Sequence, residues 1–254
     1  MRMARLIALV LFLFAMLFVS LVYAQAPASA VHKAVIVELF TSEGCSSCPP
    51  ADKFLGQLRQ GAAPNGVEVI PLGFHVDYWN YLGWQDRFSS HAYSQRQEKY
   101  AGKLHLDGPY TPQMVVNGSE QFVGSDSGRA RSAIARAAAS ASQASVEITP
   151  SAPDKLLARV KAPAGVSGDV WLAITEDNLS NKISAGENDG RVLRHSAVVR
   201  DFRLLGQFSN GIFQSEVLLK LEKDWKRADL HAVVFVQEPG EGKISGAAAV
   251  KLQP

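Results

Sequence analysis

Two cysteines separated by two residues, Cys45 and Cys48, constrain this chain more than any other feature of its sequence. They are the only cysteines among its 254 residues. A disulfide that acts as a staple usually closes a long loop, because a longer loop removes more entropy from the unfolded chain. A Cys45–Cys48 disulfide would close almost no loop, so the spacing favours thiol–disulfide exchange over a structural role for the pair. A short inert disulfide and a metal clip are the alternatives.

The residues on either side of the cysteines predict a strand, a loop and a helix. Residues 34–40 form a nearly continuous β-favouring apolar run, which is typical of a strand buried on both faces. Beyond the cysteines, apolar side chains recur at the spacing of one helix face, at Ala51, Phe54, Leu55 and Leu58. A C-x-x-C between a strand and a helix is typical of a thioredoxin-like redox motif.

Residues 1–24 have the pattern of a secretory signal peptide. Two arginines precede a long run without charge, and small or β-branched residues end that run. We therefore expect a periplasmic or secreted protein, in which a short lead-in at residues 25–32 precedes the folded part. The apolar run is nearly long enough to span a bilayer, so an uncleaved anchor is the alternative. Only in that case do we expect contact with a membrane.

The charge balance argues against a nucleic-acid partner. The chain has a formal net charge of +2, and removal of residues 1–24 takes away two arginines and no acid. The mature chain is therefore neutral, whereas a nucleic-acid-binding protein needs a basic field to displace counterions from phosphate. No phosphate-binding loop is found, and we expect no cofactor. His75 and His105 lack the spacing of metal ligands, so we expect no metal.

A stretch of small residues at 137–145 marks the expected domain boundary. After it the hydrophobic period changes from 3.6 to 2, and about seven short strands in roughly 110 residues favour an all-β sandwich. We predict an α/β thioredoxin-like domain at residues 33–140, followed by an all-β sandwich-like domain at residues 146–254. The candidate strands of the second domain are 146–149, 156–161, 170–175, 192–205, 212–221, 230–237 and 247–252.

The sequence also carries a family resemblance. Residues 33–140 resemble the thioredoxin superfamily in the order of their elements, in the C-x-x-C and in a Thr-Pro pair. The segment VELFTSEGCSSCPPAD at 37–52, with residues 75–84 and 110–113, is more narrowly similar to an exported family known only as domain of unknown function 1223. The resemblance covers nearly the whole mature chain. It implies the fold and no established substrate.

Thr111 and Pro112 are candidate site residues by that resemblance. In thioredoxin-like domains a cis-proline opens the strand that faces the C-x-x-C. Here Pro112 stands before a β-favouring run that enters an Asn-Gly hairpin turn. Cis bonds are uncommon even at proline, so an ordinary trans turn at the strand start is the alternative.

Glu38 is a further candidate. Thioredoxins keep a buried acid on the strand before the active site, where it helps to move the proton of the resolving cysteine. Glu38 lies on the matching strand, one residue further from the first cysteine than in the superfamily pattern. A buried acid must be paired or neutral, so an exposed or strand-edge glutamate is the alternative.

An aromatic stretch follows the second candidate strand, which should end on the active-site side of the sheet. Its members, Tyr78, Trp79, Tyr81 and Trp84, are candidates to line a groove for an unfolded or peptide-like client. The alternative is that they fill the core or an interdomain contact. His195 lies in a strand-like run, and we interpret it as a residue of a strand rather than as a metal ligand.

These observations predict an exported thiol–disulfide oxidoreductase. Cys45 would attack a protein or peptide client, and Cys48 would resolve the mixed disulfide. The helix start favours a thiolate, although Pro49 and Pro50 remove two of its N–H donors. We expect an unidentified redox partner as well. The alternative is a non-catalytic thioredoxin-like binding module with a structural disulfide and a β domain that docks a partner.

Overall fold

The computed structural model describes residues 34–61, 67–140 and 142–253. The predicted signal peptide and lead-in lie outside these residues. In the described part of the chain, the α-helices are α1 (Pro49–Arg59), α2 (His91–Lys103) and α3 (Ser127–Ala139). The strands are β1 (Ala34–Thr41), β2 (Glu68–His75), β3 (Gln113–Val116), β4 (Glu120–Val123), β5 (Ser145–Ala152), β6 (Lys155–Glu176), β7 (Leu179–Lys182), β8 (Val192–His195), β9 (Val198–Leu218), β10 (Leu230–Gln237) and β11 (Ile244–Lys251). Two 3-10 turns lie at Asn80–Leu82 and Arg227–Asp229.

Nine of these strands form one mixed sheet. Their order across the sheet is β11, β10, β6, β9, β2, β1, β3 and β4, and β5 pairs with β6 beside this row. Strands β7 and β8 pair only with each other, as an antiparallel hairpin. No helix among the described residues is long and apolar enough to cross a membrane.

The predicted fold, an α/β thioredoxin-like domain followed by an all-β sandwich, is wrong. The sheet continues past the small-residue stretch at 137–145, because β2 pairs in parallel with β9 at Gly73 and Val198. The N–H of Gly73 donates to the carbonyl oxygen of Ala197 at 2.7 Å. A Cβ on Gly73 would lie only 3.3 Å from that oxygen, so the missing side chain permits the close approach of the two backbones.

A shared hydrophobic core explains why the two halves of the chain do not form separate domains. Ile36 and Phe40 of β1 lie in the same buried cluster as Val233 and Phe235 of β10. Burial of apolar surface contributes about 25 cal/mol per Å², which favours joining the two apolar faces over leaving both in water. The alternation of apolar residues predicts that a strand has a buried face, but it does not predict which other strand covers that face.

The strands of the second half are also longer than the alternation predicts. Strands β6 and β9 have 22 and 21 residues and pair antiparallel over most of their length. The pairing shifts register between Ala162 and Ser167, and again between Val170 and Trp171. These irregularities interrupt the alternation, so the sequence indicates shorter separate strands where the structure has one continuous ribbon.

The local structure around the cysteines follows the sequence closely. Helix α1 begins directly after Cys48, with prolines in its first turn, where a missing N–H costs no helical hydrogen bond. Its buried face includes the four apolar residues whose spacing predicts it. The predicted hairpin turn joins β3 to β4, where Asn117 and Gly118 adopt positive φ angles of 46° and 65°.

Candidate functional site

Cys45 and Cys48 form a disulfide at the N-terminus of α1. Cys48 is the residue that caps the helix, and its carbonyl oxygen accepts hydrogen bonds from the backbone N–H groups of Ala51 and Asp52. Both cysteines are 0% exposed, while the serines between them face solvent. The disulfide therefore lies just beneath the surface without being part of it.

A loop from the second half of the chain contacts this site. Residues 183–191 join β7 to β8, and we call them the cap. The side-chain amide of Asn188 donates to the carbonyl oxygens of Glu43 and Cys45, at 2.8 and 3.0 Å. The carboxylate of Glu187 accepts the N–H of Ser46 at 3.0 Å. The cap thus holds the backbone of the C-x-x-C loop on both sides of Cys45.

Glu43 is the buried anchor between the C-x-x-C loop and the β7–β8 hairpin. Its carboxylate accepts hydrogen bonds from the indole N–H of Trp84 at 2.9 Å and from the amide of Asn181 at 2.7 Å. The Nε2 atom of His195 lies 3.1 Å from the same carboxylate. A carboxylate with no solvent exposure needs such partners, because an unpaired buried charge costs several kcal/mol.

A second acid and a second histidine lie directly behind this anchor. Asp86 accepts the backbone N–H groups of Glu43 and Phe88, each at 2.9 Å, and it contacts Nδ1 of His75 at 2.7 Å. Burial acts to lower the pKa of His75, but Asp86, Asp52 and Glu43 together raise that pKa above its ordinary value. Burial likewise opposes ionisation of Asp86, yet His75 holds its pKa below the ordinary value. The rings of His75 and His195 meet edge to face, 4.9 Å apart.

Asp52 is the third buried acid near the disulfide. It lies four residues after Cys48 in the first turn of α1, and burial raises the pKa of its carboxyl despite the opposing effects of His195 and His75. Within the described residues, Nδ1 of His195 has no hydrogen-bond partner, although it is buried. We call Glu43, Asp52, His75, Asp86 and His195 the histidine–carboxylate cluster.

One side of this cluster borders a groove between α1 and the β7–β8 hairpin. The groove has a volume of about 650 Å³. Asp52 and His195 contribute to its wall, together with the basic residues Lys53 and Arg194. The buried cluster therefore reaches the wall of this groove at Asp52 and His195.

Comparison with known proteins identifies the family. A family model described as "Protein of unknown function (DUF1223)" matches residues 36–237. The chain belongs to the DUF1223 family. Among curated proteins, none matches it.

Solved structures include one of similar fold. A crystal structure of an Agrobacterium tumefaciens protein, a structural genomics target, is 27% identical; the match covers 89% of this chain and 97% of that one, with a TM-score of 0.71. A domain of the outer membrane lipoprotein Omp28 from Porphyromonas gingivalis is 13% identical over 44% of this chain and 90% of that domain, with a TM-score of 0.27.

In this DUF1223 member, Glu38 lies in a different buried cluster. Its carboxylate accepts two hydrogen bonds from Arg96, at 2.7 and 3.1 Å, and a third from the hydroxyl of Tyr100 at 2.6 Å. Arg96 also donates to the side chain of Gln237 at 2.9 Å. We call Glu38, Arg96, Tyr100 and Gln237 the arginine cluster. None of the three hydrogen bonds to the carboxylate of Glu38 comes from the C-x-x-C loop.

The Thr111–Pro112 peptide bond is cis, and Pro112 is buried at the start of β3. The hydroxyl of Thr111 accepts the indole N–H of Trp79 at 2.8 Å. A Cβ on Gly44 would lie 3.0 Å from the Cβ of Trp79, so Trp79 packs directly against the loop that carries Cys45. Trp79 therefore joins the predicted proline segment to the C-x-x-C loop.

The other aromatic candidates have separate positions. The hydroxyl of Tyr78 donates to Gln97 of α2 at 3.0 Å, and Trp84 is the half-buried donor to Glu43. Tyr81 is 80% exposed. Trp79 and Trp84 contact residues of the C-x-x-C loop, and a client groove lined by all four side chains stays a prediction.

The histidines considered as metal ligands also differ in position. His75 is buried in its pair with Asp86, while His105 is exposed in the turn after α2 with a φ of 55°. Within the part of the chain that the structure describes, no group of three His, Cys, Asp or Glu residues is arranged to hold a metal ion.

The sequence gives little indication of four residues of this site. Glu43 and Asp52 are recognisable only as acids close to the cysteines in the chain. His195 is a residue of β8, as expected, yet its ring contacts a carboxylate 152 residues away. Asn188 has no motif at all, and its contact with Cys45 spans 143 residues. Only the packing of the β7–β8 hairpin on α1 brings these residues together.

Proposed function

We propose that this DUF1223 member is an exported thiol–disulfide oxidoreductase that acts on the thiols or disulfides of a protein client. The disulfide at the start of α1, beside buried histidines and carboxylates, is the observation that carries the proposal. By the loop-entropy relation, a disulfide that closes four residues stabilises a fold by about 2 kcal/mol, against about 3 kcal/mol for a 15-residue loop. The Cys45–Cys48 disulfide therefore contributes less to stability than a disulfide across a longer loop would. The helix N-terminus favours a thiolate at this position.

The chemistry is a pair of thiolate displacements. A client thiolate attacks Sγ of Cys45, the Cys45–Cys48 bond breaks, and Cys48 leaves as a thiolate. A second client thiolate then attacks the mixed disulfide at the client sulfur, so that the client gains a disulfide and Cys45 leaves as a thiolate. The client loses two electrons and this protein gains them. The reverse sequence reduces a client disulfide, and an unidentified redox partner restores the starting state.

The contacts of Cys45 and the position of Asp52 support these roles. Sγ of Cys45 lies 3.4 Å from the hydroxyl of the exposed Ser47, which can donate a hydrogen bond to a thiolate at Cys45. Asp52 is four residues after Cys48 and therefore on the same side of α1. Because its pKa is raised, its carboxyl can hold a proton and return it to the thiolate of Cys48.

Kinship with the thioredoxin superfamily is part of the proposal. It is supported by the order of β1, the disulfide and α1, and by Pro112 at the start of β3. The kinship concerns the site and its neighbouring elements within the larger sheet. Export to the periplasm or to the medium rests on the pattern of residues 1–24.

Full burial of both cysteines favours a second candidate function. In this alternative the disulfide is structural, and the molecule is a non-catalytic binding module. Trp79 and the cap, which pack against the C-x-x-C loop, would then stabilise a fixed surface for a partner. The two candidates differ in whether external thiols exchange with the folded protein.

Equilibration of the mature chain with glutathione redox buffers tests the proposal, with thiol alkylation as the measurement. We expect a defined reduction potential: a value near about −270 mV would indicate a reductase and one near about −120 mV an oxidant. Cys48→Ser should accumulate a mixed disulfide with glutathione at Cys45, whereas the matched variant Cys45→Ser should accumulate much less. A disulfide that glutathione reduces only after urea has unfolded the chain would establish the structural alternative.

A further inference from the structure

Thiol–disulfide exchange requires a thiolate to approach a sulfur along the S–S axis, and neither cysteine is accessible in this structure. Some element must therefore move before a client can react. Strand β1 lies between β2 and β3 in the sheet, and α1 buries Leu55 and Leu58 in the core. Movement of either element would expose apolar surface to water, which is costly.

The cap is attached differently. Its contacts with the C-x-x-C loop include hydrogen bonds from Asn188 to two backbone carbonyl oxygens, and Glu187 interacts with both the backbone N–H and the side chain of Ser46. Water can replace these hydrogen bonds when the cap lifts. Residues 187 and 189–191 are exposed, whereas Ile183 is buried and Gly186 lies beside Trp84. None of residues 183–191 belongs to a hydrophobic cluster of the sheet, so lifting the exposed end of the cap leaves those clusters intact.

The cap is also built to move as a unit. Ile183 is buried at its base, and its N–H donates to the carbonyl oxygen of Arg191 at 2.9 Å. The N–H of Gly190 donates back to Ile183 at 3.0 Å. Gly186 and Gly190 have φ angles of 75° and 78°, a region that favours glycine, so they are the positions where the loop changes direction.

We propose that the cap is a gate over the disulfide and that Asn188 is its latch. This inference rests on the proposed exchange function of Cys45 and Cys48. Asn188 suits the role because its amide is 0% exposed and both of its hydrogen bonds go to the loop that carries Cys45. Its carbonyl oxygen accepts from the guanidinium of Arg191 at 3.0 Å, which fixes the amide in the orientation that donates to the loop.

The gate gives the second half of the chain a function at the site. Strands β7 and β8 carry the cap, and Asn181 and His195 of these strands are bound to the buried carboxylate of Glu43. The hairpin therefore stays anchored while the loop at its end opens. A client that competes for the backbone groups of the C-x-x-C loop would displace Asn188 and gain access to Cys45 in the same step.

The test measures the second-order rate at which dithiothreitol reduces the disulfide in the full mature chain. Asn188→Ala removes both latch hydrogen bonds, and we expect reduction about tenfold faster or more, since the rate follows the open population. Asp189→Asn, an exposed change in the same loop, is the matched control and should leave the rate unchanged. Equal rates for Asn188→Ala and the wild type would overturn the gate.

General loss of stability could also speed reduction, so a second comparison separates the two causes. Val160→Ala truncates a buried side chain in the cluster formed by β5, β6, β9 and β10. If it accelerates reduction as much as Asn188→Ala, reactivity follows global unfolding and the gate is overturned. If only Asn188→Ala accelerates reduction, opening is local and the gate is supported.

The outcome for the gate is distinguishable from the outcome for the proposed function. If dithiothreitol reduces Asn188→Ala faster but Cys48→Ser forms no mixed disulfide with glutathione, the cap covers the sulfurs and the oxidoreductase proposal fails. If the folded wild type exchanges with glutathione at a rate that Asn188→Ala does not change, the oxidoreductase proposal stands and the gate fails.

Discussion

Two clusters of buried charge lie in this molecule, and they differ in what their basic residues can do. In the arginine cluster, Glu38 faces a guanidinium that stays charged at any pH at which the protein is folded. In the histidine–carboxylate cluster, Glu43 and Asp86 face imidazoles, which change charge near neutral pH. Burial is similar in both clusters, so the difference lies in the chemistry of the partner.

The surroundings of the two clusters match this difference. The guanidinium of Arg96 lies 4.8 Å from the ring of Phe202 and 5.1 Å from that of Tyr100, and Glu38 raises the pKa of Arg96 despite the opposing effect of burial. The histidine–carboxylate cluster instead borders a groove and contains the unpartnered Nδ1 of His195. The arginine cluster fixes the sheet, whereas the other cluster is suited to proton transfer.

Breaking the arginine cluster should have the largest effect on stability. Arg96→Ala leaves the carboxylate of Glu38 buried without its ion pair, and we expect the free energy of unfolding to fall by about 3–5 kcal/mol. Urea denaturation measures this change. The rate of disulfide reduction per folded molecule should stay that of the wild type, because neither residue hydrogen-bonds to the C-x-x-C loop among the described residues.

A double variant provides the control for this prediction. Glu38→Leu combined with Arg96→Met removes both charges, and it should be more stable than Arg96→Ala, since no unpaired charge remains. If Arg96→Ala alone unfolds within about 1 kcal/mol of the wild type, the ion pair is not what holds this region together.

Removal of the disulfide should have a smaller effect. Cys45→Ser combined with Cys48→Ser opens a loop of only four residues, so we expect a loss of about 2 kcal/mol and a chain that still folds. Thermal unfolding followed by circular dichroism measures this. A loss similar to that of Arg96→Ala, or failure to fold, would favour the structural role for the disulfide over exchange.

The smallest effect should come from Asp52, and its sign depends on pH. Because burial raises the pKa of Asp52 above the ordinary 3.8, folding favours the protonated carboxyl. The contribution of this group to stability is fully present below the unfolded pKa and is lost as pH rises through the folded pKa. Asp52→Asn cannot ionise, so it should be more stable than the wild type at pH 7, with the difference closing at low pH.

Urea midpoints measured from pH 3 to pH 8 would follow this difference, with the exposed Asp189→Asn as a matched control that should show no such dependence. A difference between Asp52→Asn and the wild type that stays constant over the whole range would show that ionisation of Asp52 does not depend on folding. It would also remove Asp52 from the proposed proton transfer to Cys48.

The fates of Glu38 and Glu43 show how far the sequence predicts the site. Glu38 lies on a strand of apolar residues, and the sequence leaves both burial and exposure of its carboxylate open, while its partner Arg96 does not follow from the sequence at all. Glu43 is two residues before Cys45, yet its contacts with Trp84, Asn181 and His195 come from three other segments. Local pattern predicts which side chains are buried, and long-range packing decides what they contact.

The fold divides in the same way. Apolar runs, helix spacing and the proline and glycine positions are local properties, and they predict β1, α1 and the Asn117–Gly118 turn because neighbours in the chain determine them. Strands β2 and β9 pair at Gly73 and Val198, about 125 residues apart in the chain. The local hydrophobic period does not encode a pairing over such a distance.

By itself, the sequence determines that Cys45 and Cys48 begin a helix after a buried strand, since strand, turn and helix propensities act within a few residues. The tertiary structure alone decides that Asn188 of the cap hydrogen-bonds to the loop that carries the disulfide and that a buried histidine contacts Glu43 of the same loop. The physical reason is that these contacts join residues 143 and 152 positions apart in the chain, which long-range packing brings together and no local preference encodes.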